Sequence, residues 1–454
     1  MRRILVIGHG TASIAGFGIS YLMKRVLGKA GLDVEWSKAS ELFGFASNAR
    51  LDDTIVVAVS QSGTTTDTNR IVDIARKRGA WVHAIVNRRN SSLVQKSDSY
   101  LYTSDGRDVE MSVASTKAYY SQVAAGKLLS LFLADQLGTL DGAELAAELM
   151  ELESLPGKIE TVLELKPQIS ELAAKYAPRI RNWALVGNGA NRVAAEEIRI
   201  KLSELCYKAI PADVTEDKKH IDLSTEPLTI VVANDLPEEV VQDTVKEASI
   251  FKAHNGRPLI FCSAGETRFD GVAEAVIRLP EIGGGLAFVL ATVAGHLFGV
   301  AAARAIDATA QPLRIARAEL TQLRDNPAQW DRNRTVAILA PVIAEIESGV
   351  TDTAMPSGLA MKFSRQLAAL EQGPTRLNGA DLDKVLAILT AMIDELGRPI
   401  DTIRHQAKTV TVGVSRPQLE LSPLIEETLW RLNLPSSSLR DRDREILEAI
   451  SPLV

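Results

Sequence analysis

Short, continuously apolar runs alternate with longer amphipathic stretches through the first third of the chain. Ile4-Leu5-Val6-Ile7 reads as a strand, closed by Gly8-His9-Gly10-Thr11-Ala12-Ser13, and helical spacing then continues to about Leu27. Thr54 to Val59 gives a second strand ending in Ser60-Gln61-Ser62-Gly63, with a helical pattern from Asp67 to Lys77 behind it. Trp81 to Val86 is a third strand and Ser99 to Tyr102 a short fourth one. Strands apolar at consecutive positions are buried on both faces, so the helices between them must cover a parallel sheet.

The pattern then recurs. Trp183-Ala184-Leu185-Val186-Gly187-Asn188-Gly189 echoes the opening strand and turn, Leu228 to Ala233 echoes Thr54 to Val59, and Arg257 to Cys262 echoes Trp81 to Val86. These pairs stand about 175–180 residues apart, the mark of a duplicated domain. Each copy closes on a long apolar helix, Thr116 to Leu137 and Gly285 to Ile306, and the connection from Leu140 to Lys175 is itself helical. Residues 311–400 carry helical periodicity without a convincing strand and are punctuated by Pro341, Pro356 and Pro374, so several helices are expected. A β-like run, Thr409-Val410-Thr411-Val412, follows. The predicted fold class is α/β: two tandem domains, 1–150 and 151–310, each a parallel sheet flanked by helices (doubly wound, flavodoxin-like). A helical insertion over 311–400 and a tail over 401–454 follow them. Gly285 to Ala303 approaches the length and apolarity of a membrane span, but His296 interrupts it and no aromatic or basic flanks mark an interface. A helix buried inside an α/β domain is expected instead.

Composition narrows the function classes. The 454 residues are 46% hydrophobic and 24% charged, as in ordinary globular proteins, and the net charge of -6 gives no general affinity for nucleic acid or an anionic membrane. An anionic ligand must therefore be held locally, by amides, hydroxyls and a few placed cations. Two cysteines, Cys206 and Cys262, make no disulfide framework, which points to a reducing cytoplasm. The short apolar start is no signal peptide, no metal or cofactor motif is read, and the helical ending without a stop signal reads as a piece of a longer polypeptide.

Ser60-Gln61-Ser62-Gly63-Thr64-Thr65-Thr66-Asp67-Thr68 is the strongest local chemical signal. A strand-to-helix turn aims free N–H groups and the positive end of a helix dipole outward. Hydroxyls add donors without bulk, and Gly63 permits close approach of an oxyanion. The lack of a lysine separates this turn from a nucleoside-triphosphate loop and points to a phosphomonoester on a small molecule. On these residues alone, a hydroxyl-rich helix cap with no ligand fits as well.

In the second copy Glu197, Lys201 and Glu204 stand four and three residues apart, so all three project from one helix face. A carboxylate beside an ammonium that keeps it ionised makes a general base, and His220 is a group able to titrate near neutrality. Spacing alone favours an exposed salt bridge and a loop histidine.

Gly10-Thr11, Ala39-Ser40-Glu41, Ser60-Gln61-Ser62-Gly63, Asn87 with Ser91-Ser92-Leu93-Val94, and Val113-Ala114-Ser115-Thr116-Lys117-Ala118 occur in that order. The series resembles the first sugar-isomerase (SIS) domain of the glucosamine-6-phosphate synthase family, and Gly187-Asn188-Gly189 through Tyr207 to His220 resembles its second. The resemblance implies that Ser60, Gln61, Ser62 and Thr65 hold a sugar phosphate and that Thr11, Val113 and Ser115 line the sugar. It further implies that Lys201 and Glu204 are catalytic, that Glu204 transfers the proton, and that His220 opens the ring in a neighbouring subunit of a homodimer. Thr64 stands where the family has Glu, Ala12 where it has Ser, and Ile221-Asp222 where it has Gly-Pro. The family's Schiff-base lysine has two partial counterparts. Gln311-Pro312-Leu313-Arg314-Ile315-Ala316-Arg317 carries an arginine, which cannot form an imine, whereas Arg404-His405-Gln406-Ala407-Lys408-Thr409 keeps the lysine. Lys408 is therefore the candidate, with Ala407 beside it lining the substrate. The implied activity makes glucosamine 6-phosphate from fructose 6-phosphate without a cofactor, using ammonia from a glutaminase domain or subunit that this chain does not contain. A related sugar-phosphate deaminase or deglycase and a non-catalytic sugar-phosphate sensor are the alternatives.

Overall fold

The computed structural model describes residues 1–45, 50–105, 115–221, 227–326, 331–351, 354–373, 379–398, 422–432 and a few positions between 434 and 447. They form two compact units, one of Met1–Ala146 with Thr402–Val454 and one of Ala147–Asp401.

The first unit is built on a five-stranded sheet in the order β2-β1-β3-β4-β5, with β1 Arg3–Gly8, β2 Asp33–Lys38, β3 Thr54–Ser60, β4 Trp81–Val86 and β5 Ser99–Tyr102. Every pairing is parallel. Helices α1 (Thr11–Leu27), α2 (Ala39–Phe45), α3 (Thr66–Lys77), α4 (Ser92–Lys96) and α5 (Lys117–Leu137) connect and cover the strands. The reason is in the strand sequences: Ile4, Val6 and Ile7 of β1 and Val56, Val57, Ala58 and Val59 of β3 are fully buried, so both sheet faces need a helical layer. Ile71, Val72 and Ala75 of α3 supply one layer, packed against Val56, Ala58 and Val82. On the other, α1 packs against α5.

The second unit repeats this wiring in the order β10-β9-β8-β6-β7, with β6 Trp183–Gly187, β7 Ala212–Asp213, β8 Leu228–Ala233, β9 Arg257–Ser263 and β10 Ala275–Leu279. Its strands too pair only in parallel. After α6 (Gly142–Glu164), its helices are α7 (Lys166–Tyr176), α8 (Ala190–Cys206), α9 (Thr215–Ile221), α10 (Glu238–Ala253) and α11 (Ala287–Ala308). The duplication reaches side-chain detail. In the first unit α5 presses on α1 where a Cβ on Gly126 would lie 2.2 Å from Ile19 Cγ1. In the second, α11 presses on α8 where a Cβ on Gly295 would lie 2.2 Å from Ile198 Cγ1. Both crossings need glycine for the backbone to come this close. The apolar window that includes α11 is long and apolar enough to cross a membrane, and 72% of it is buried inside the protein.

The region after α11 is helical: α12 Gln311–Asp325, α13 Arg332–Glu347, α14 Ser357–Gln372 and α15 Gly379–Leu396. Leu313, Leu320, Leu339, Val342, Phe363, Leu370, Leu389 and Met392 share one core among them. Pro341 lies inside α13 rather than between helices, and Pro356 caps the start of α14. A further helix, α16, spans Pro423–Arg431. The β-like run predicted at Thr409–Val412 lies outside the described residues.

Candidate functional site

In the first unit the order reverses between β1 and β3, whose C-terminal ends lie side by side. Such a switch point is where open parallel sheets hold ligands. Both corners that form it carry predicted residues: Thr11 begins α1, and Ser60 to Thr65 link β3 to α3. Ser60 is buried, and its Oγ accepts the Gly63 N–H at 3.0 Å. Ser62 Oγ accepts from the Thr64 N–H at 3.2 Å and from the Thr64 hydroxyl at 3.0 Å. The residue that departs from the family pattern thus braces a predicted phosphate ligand. Thr65 is in the N-cap position of α3 in an extended conformation, yet no side chain caps the helix among the described residues, so its dipole faces outward. Gly63 is left-handed at φ +65, and a Cβ there would lie 2.0 Å from Ser91 Oγ, so the tight turn excludes any side chain. Asn69 Nδ2 donates to the carbonyls of Gly63 at 3.2 Å and Thr65 at 3.0 Å, and fixes the loop from below. Gln61 Oε1 and Ser91 Oγ are buried at this corner without a hydrogen-bond partner among the described residues. Burial without a partner is costly, and a bound ligand or water would relieve it. His9 was not singled out from the sequence. Its Nδ1 lies 4.0 Å from Asp67 Oδ2, which joins the two corners.

In the second unit the equivalent switch point lies between β6 and β8, but here the corners are tied shut. Asn191 Nδ2 donates to the Asn234 carbonyl at 2.8 Å, and the Asn234 N–H donates to Asn191 Oδ1 at 3.2 Å. Asn234 Nδ2 donates to the Ala287 carbonyl at 2.9 Å, and Asn188 Nδ2 donates to Thr215 Oγ1 at 2.7 Å. The neighbouring cavity, about 700 Å³, is bordered by Glu151, Asp235 and Glu281 against Lys158. A carboxylate-rich wall repels phosphate. The second copy's turn after β8, Asn234-Asp235-Leu236-Pro237, has no hydroxyls like those of Ser60 to Thr65, and its candidate chemistry is of another kind.

That chemistry is on α8. Glu197 is 0% and Lys201 1% exposed at the side chain, while Glu204 is 27% exposed. Lys201 Nζ lies 3.0 Å from Glu204 Oε2 and 3.5 Å from Glu197 Oε1. The exposed-salt-bridge reading is therefore wrong for this trio: the ammonium is buried between two carboxylates, only one of which meets solvent. A fourth member comes from α11, where His296 Nε2 lies 3.6 Å from Glu197 Oε1. The sequence signal for it was present, a polar residue inside an otherwise apolar helix, but the close helix crossing at Gly295 that brings it to Glu197 was not visible. The contacts run Glu204, Lys201, Glu197, His296, with Lys201 and Glu197 the most deeply buried members. Buried ions in contact hold one another in fixed rotamers, which suits a base that must meet a particular carbon.

Of the remaining predicted residues, Ser115 lies just before α5 and His220 falls within α9. Val113, Ala407 and Lys408 lie outside the described residues, as does the His220 side chain. The family's lysine position at Arg317 falls in α12, in regular helix rather than an extended tail. Burial pushes both thiols, Cys206 and Cys262, up to about 12, so neither is a nucleophile at neutral pH.

Residues 1–131 match the SIS domain family. The isomerizing glutamine–fructose-6-phosphate aminotransferase of Bacteroides thetaiotaomicron is 31% identical over 285 residues, which is 62% of this chain and 45% of the relative. That of Symbiobacterium thermophilum is 32% identical over 307 residues, 67% of this chain and 49% of the relative. The solved C-terminal domain of glucosamine-fructose-6-phosphate aminotransferase from Francisella tularensis superposes with a TM-score of 0.62 at 25% identity, covering 67% of this chain and 85% of that one. The chain thus spans about half the length of the curated relatives it matches.

Proposed function

We propose that this tandem-SIS chain is the sugar-isomerase part of a glutamine–fructose-6-phosphate aminotransferase, converting fructose 6-phosphate and ammonia to glucosamine 6-phosphate and water. One observation carries the reading: an ammonium, Lys201, buried between Glu197 and Glu204 on α8, in a chain whose first copy keeps an open hydroxyl-lined corner. The phosphate rests against the Ser60 to Thr65 turn and the start of α3, with Thr11, Val113, Ser115 and Ala407 along the sugar. The amine of Lys408 adds to the C2 carbonyl and expels water, giving an imine. Ammonia adds to the same carbon and displaces the lysine amine. Glu204 then takes a proton from C1 and returns one to C2 while the O1 hydroxyl proton passes to the imine nitrogen, leaving an amine at C2 and an aldehyde at C1 that closes to the ring. Lys201 orients Glu204 throughout. His220 of a neighbouring copy opens the incoming ring, so the working form is a homodimer. The ammonia comes from a glutaminase, on a longer polypeptide or a partner subunit. Two free, buried thiols support a cytoplasmic setting.

The test is incubation of the full chain with fructose 6-phosphate and ammonium, with borohydride trapping in parallel. Glucosamine 6-phosphate should form, and the reduced adduct should map to Lys408. Binding of the sugar phosphate with neither product nor adduct would overturn the enzymatic reading in favour of a sensor.

A further inference from the structure

The two ends of the helical region meet at one point of the second unit, the end of α11. Asp307 there is buried, and it accepts two hydrogen bonds from the Arg314 fork in the first turn of α12, at 2.7 and 2.9 Å. Its Oδ1 also accepts the backbone N–H of Arg398 at 3.0 Å, just past α15. Arg398 then turns its side chain toward α8. It is 5% exposed, and its Nε donates to the Cys206 carbonyl at 3.0 Å. Its Nη1 donates to the carbonyls of Glu395 at 2.7 Å and Gly397 at 3.0 Å, and the guanidinium lies 5.2 Å from the centre of the Tyr207 ring.

Cys206 and Tyr207 are the last turn of α8. The carbonyls there have no partner within the helix, and they carry the negative end of its dipole. Tyr207 is the left-handed cap at φ +53, a conformation an aromatic residue holds only when its surroundings impose it. Arg398 supplies both needs with one planar group: a cationic donor for the final carbonyl, and a face against the ring that must stay in place. A lysine could offer the charge but neither the fork nor the plane. Glu204 stands in this same turn, two positions before Cys206 and less buried than Lys201. Its backbone is therefore held from one side by the rest of α8 and from the other by a residue of the helical region.

We infer that Arg398 is a positioning residue for Glu204, and that the four-helix region exists in part to hold the last turn of the acid–base helix in register. This rests on the reading of Glu204 as the proton-transfer base. The region thereby acts on chemistry it does not touch: a displacement of the α15 end passes through one guanidinium to the turn that aims the carboxylate.

The experiment uses the full chain as wild type, Arg398→Ala and Arg398→Lys. For each, product formation from fructose 6-phosphate and ammonium is resolved into kcat and KM, and amide exchange is read on the peptide spanning 200–208. The alanine variant should lose roughly 10- to 100-fold in kcat, the scale of a base displaced by about 1 Å, with KM little changed. Exchange should rise in 200–208 but not in peptides from the first unit. Guanidinium ion at low millimolar concentration should restore part of the kcat of Arg398→Ala, and Arg398→Lys should be intermediate. An alanine variant that keeps wild-type kcat while the turn exchanges faster would overturn the inference, as would unchanged exchange in 200–208. A fall in kcat that guanidinium leaves untouched, with exchange raised across the whole unit, would also overturn it by showing a general loss of stability. A wild-type chain with no turnover would instead sink the reading of Glu204 on which the inference stands.

Discussion

Replacing Lys201 by methionine keeps the length and apolar body of the side chain and removes only its charge. The ammonium it deletes stands 3.5 Å from Glu197 Oε1 and 3.0 Å from Glu204 Oε2. At an effective dielectric of about 20, each such pair attracts by about 5 kcal/mol before desolvation is charged against it. The Glu204 pair is partly screened, since that carboxylate is 27% exposed, so the deeper Glu197 pair decides the outcome. Glu197 is 0% exposed and would be left as a buried carboxylate without its ammonium, which costs about 3–5 kcal/mol. For a unit of this size that is a drop of about 6–20 °C in Tm. The assay is thermal and urea unfolding of the full chain at neutral pH, following the transition of the second unit. The double variant Glu197→Gln with Lys201→Met should recover more than half of the loss, because it removes the stranded charge as well as its partner. A single variant within about 1 kcal/mol of wild type would refute the reasoning. So would a double variant no more stable than the single one, since the loss would then be packing.

Other consequences are equally concrete. Gly63→Ala must place a Cβ 2.0 Å from Ser91 Oγ at φ +65, so it should cost about 1–3 kcal/mol and weaken fructose 6-phosphate binding at least about tenfold by calorimetry; unchanged affinity would contradict the cradle. Gly295→Ala brings a Cβ to 2.2 Å from Ile198 Cγ1 and should cost a similar 1–3 kcal/mol, roughly, with partial recovery when Ile198 is also cut to alanine. Burial lowers His83 to about 4. Between that value and about 6.5 the unfolded chain binds the extra proton, so stability is full above pH 6.5 and falls by about 3 kcal/mol as pH drops to 4. His83→Gln should flatten that limb of the stability–pH curve, and an unchanged limb would assign the loss to other groups.

How much of this was legible in the sequence depended on whether a feature is local. Core strands such as β1, β3 and β8 announce themselves, because each is a continuous apolar run buried on both faces. The edge strands β2, β7 and β10 did not. Asp33-Val34-Glu35-Trp36-Ser37-Lys38 mixes charge with one buried valine, β7 has only Ala212 and Asp213, and β10 is half-exposed along most of its length. An edge strand is specified mainly by the neighbour it pairs with, which spacing along the chain does not reveal. The helix face of Glu197, Lys201 and Glu204 followed from periodicity, whereas their burial did not, since it depends on α11 closing at Gly295. The hydroxyl-rich turn was read only in the first copy. That Asn191 and Asn234 satisfy each other across the second corner was not visible in the sequence. The link from Arg398 to Cys206 joins residues far apart in the chain, and nothing in the helical spacing of 311–400 points to it.

The most direct measurement is deuterium uptake from solvent at C1 of fructose 6-phosphate, followed by NMR with the full chain and with Glu204→Gln at saturating substrate. Wild type should label the recovered sugar phosphate, and the variant should bind it as tightly while labelling at least about 100-fold more slowly. Labelling by Glu204→Gln at the wild-type rate would show that the carboxylate at the solvent end of the buried cluster is not the base.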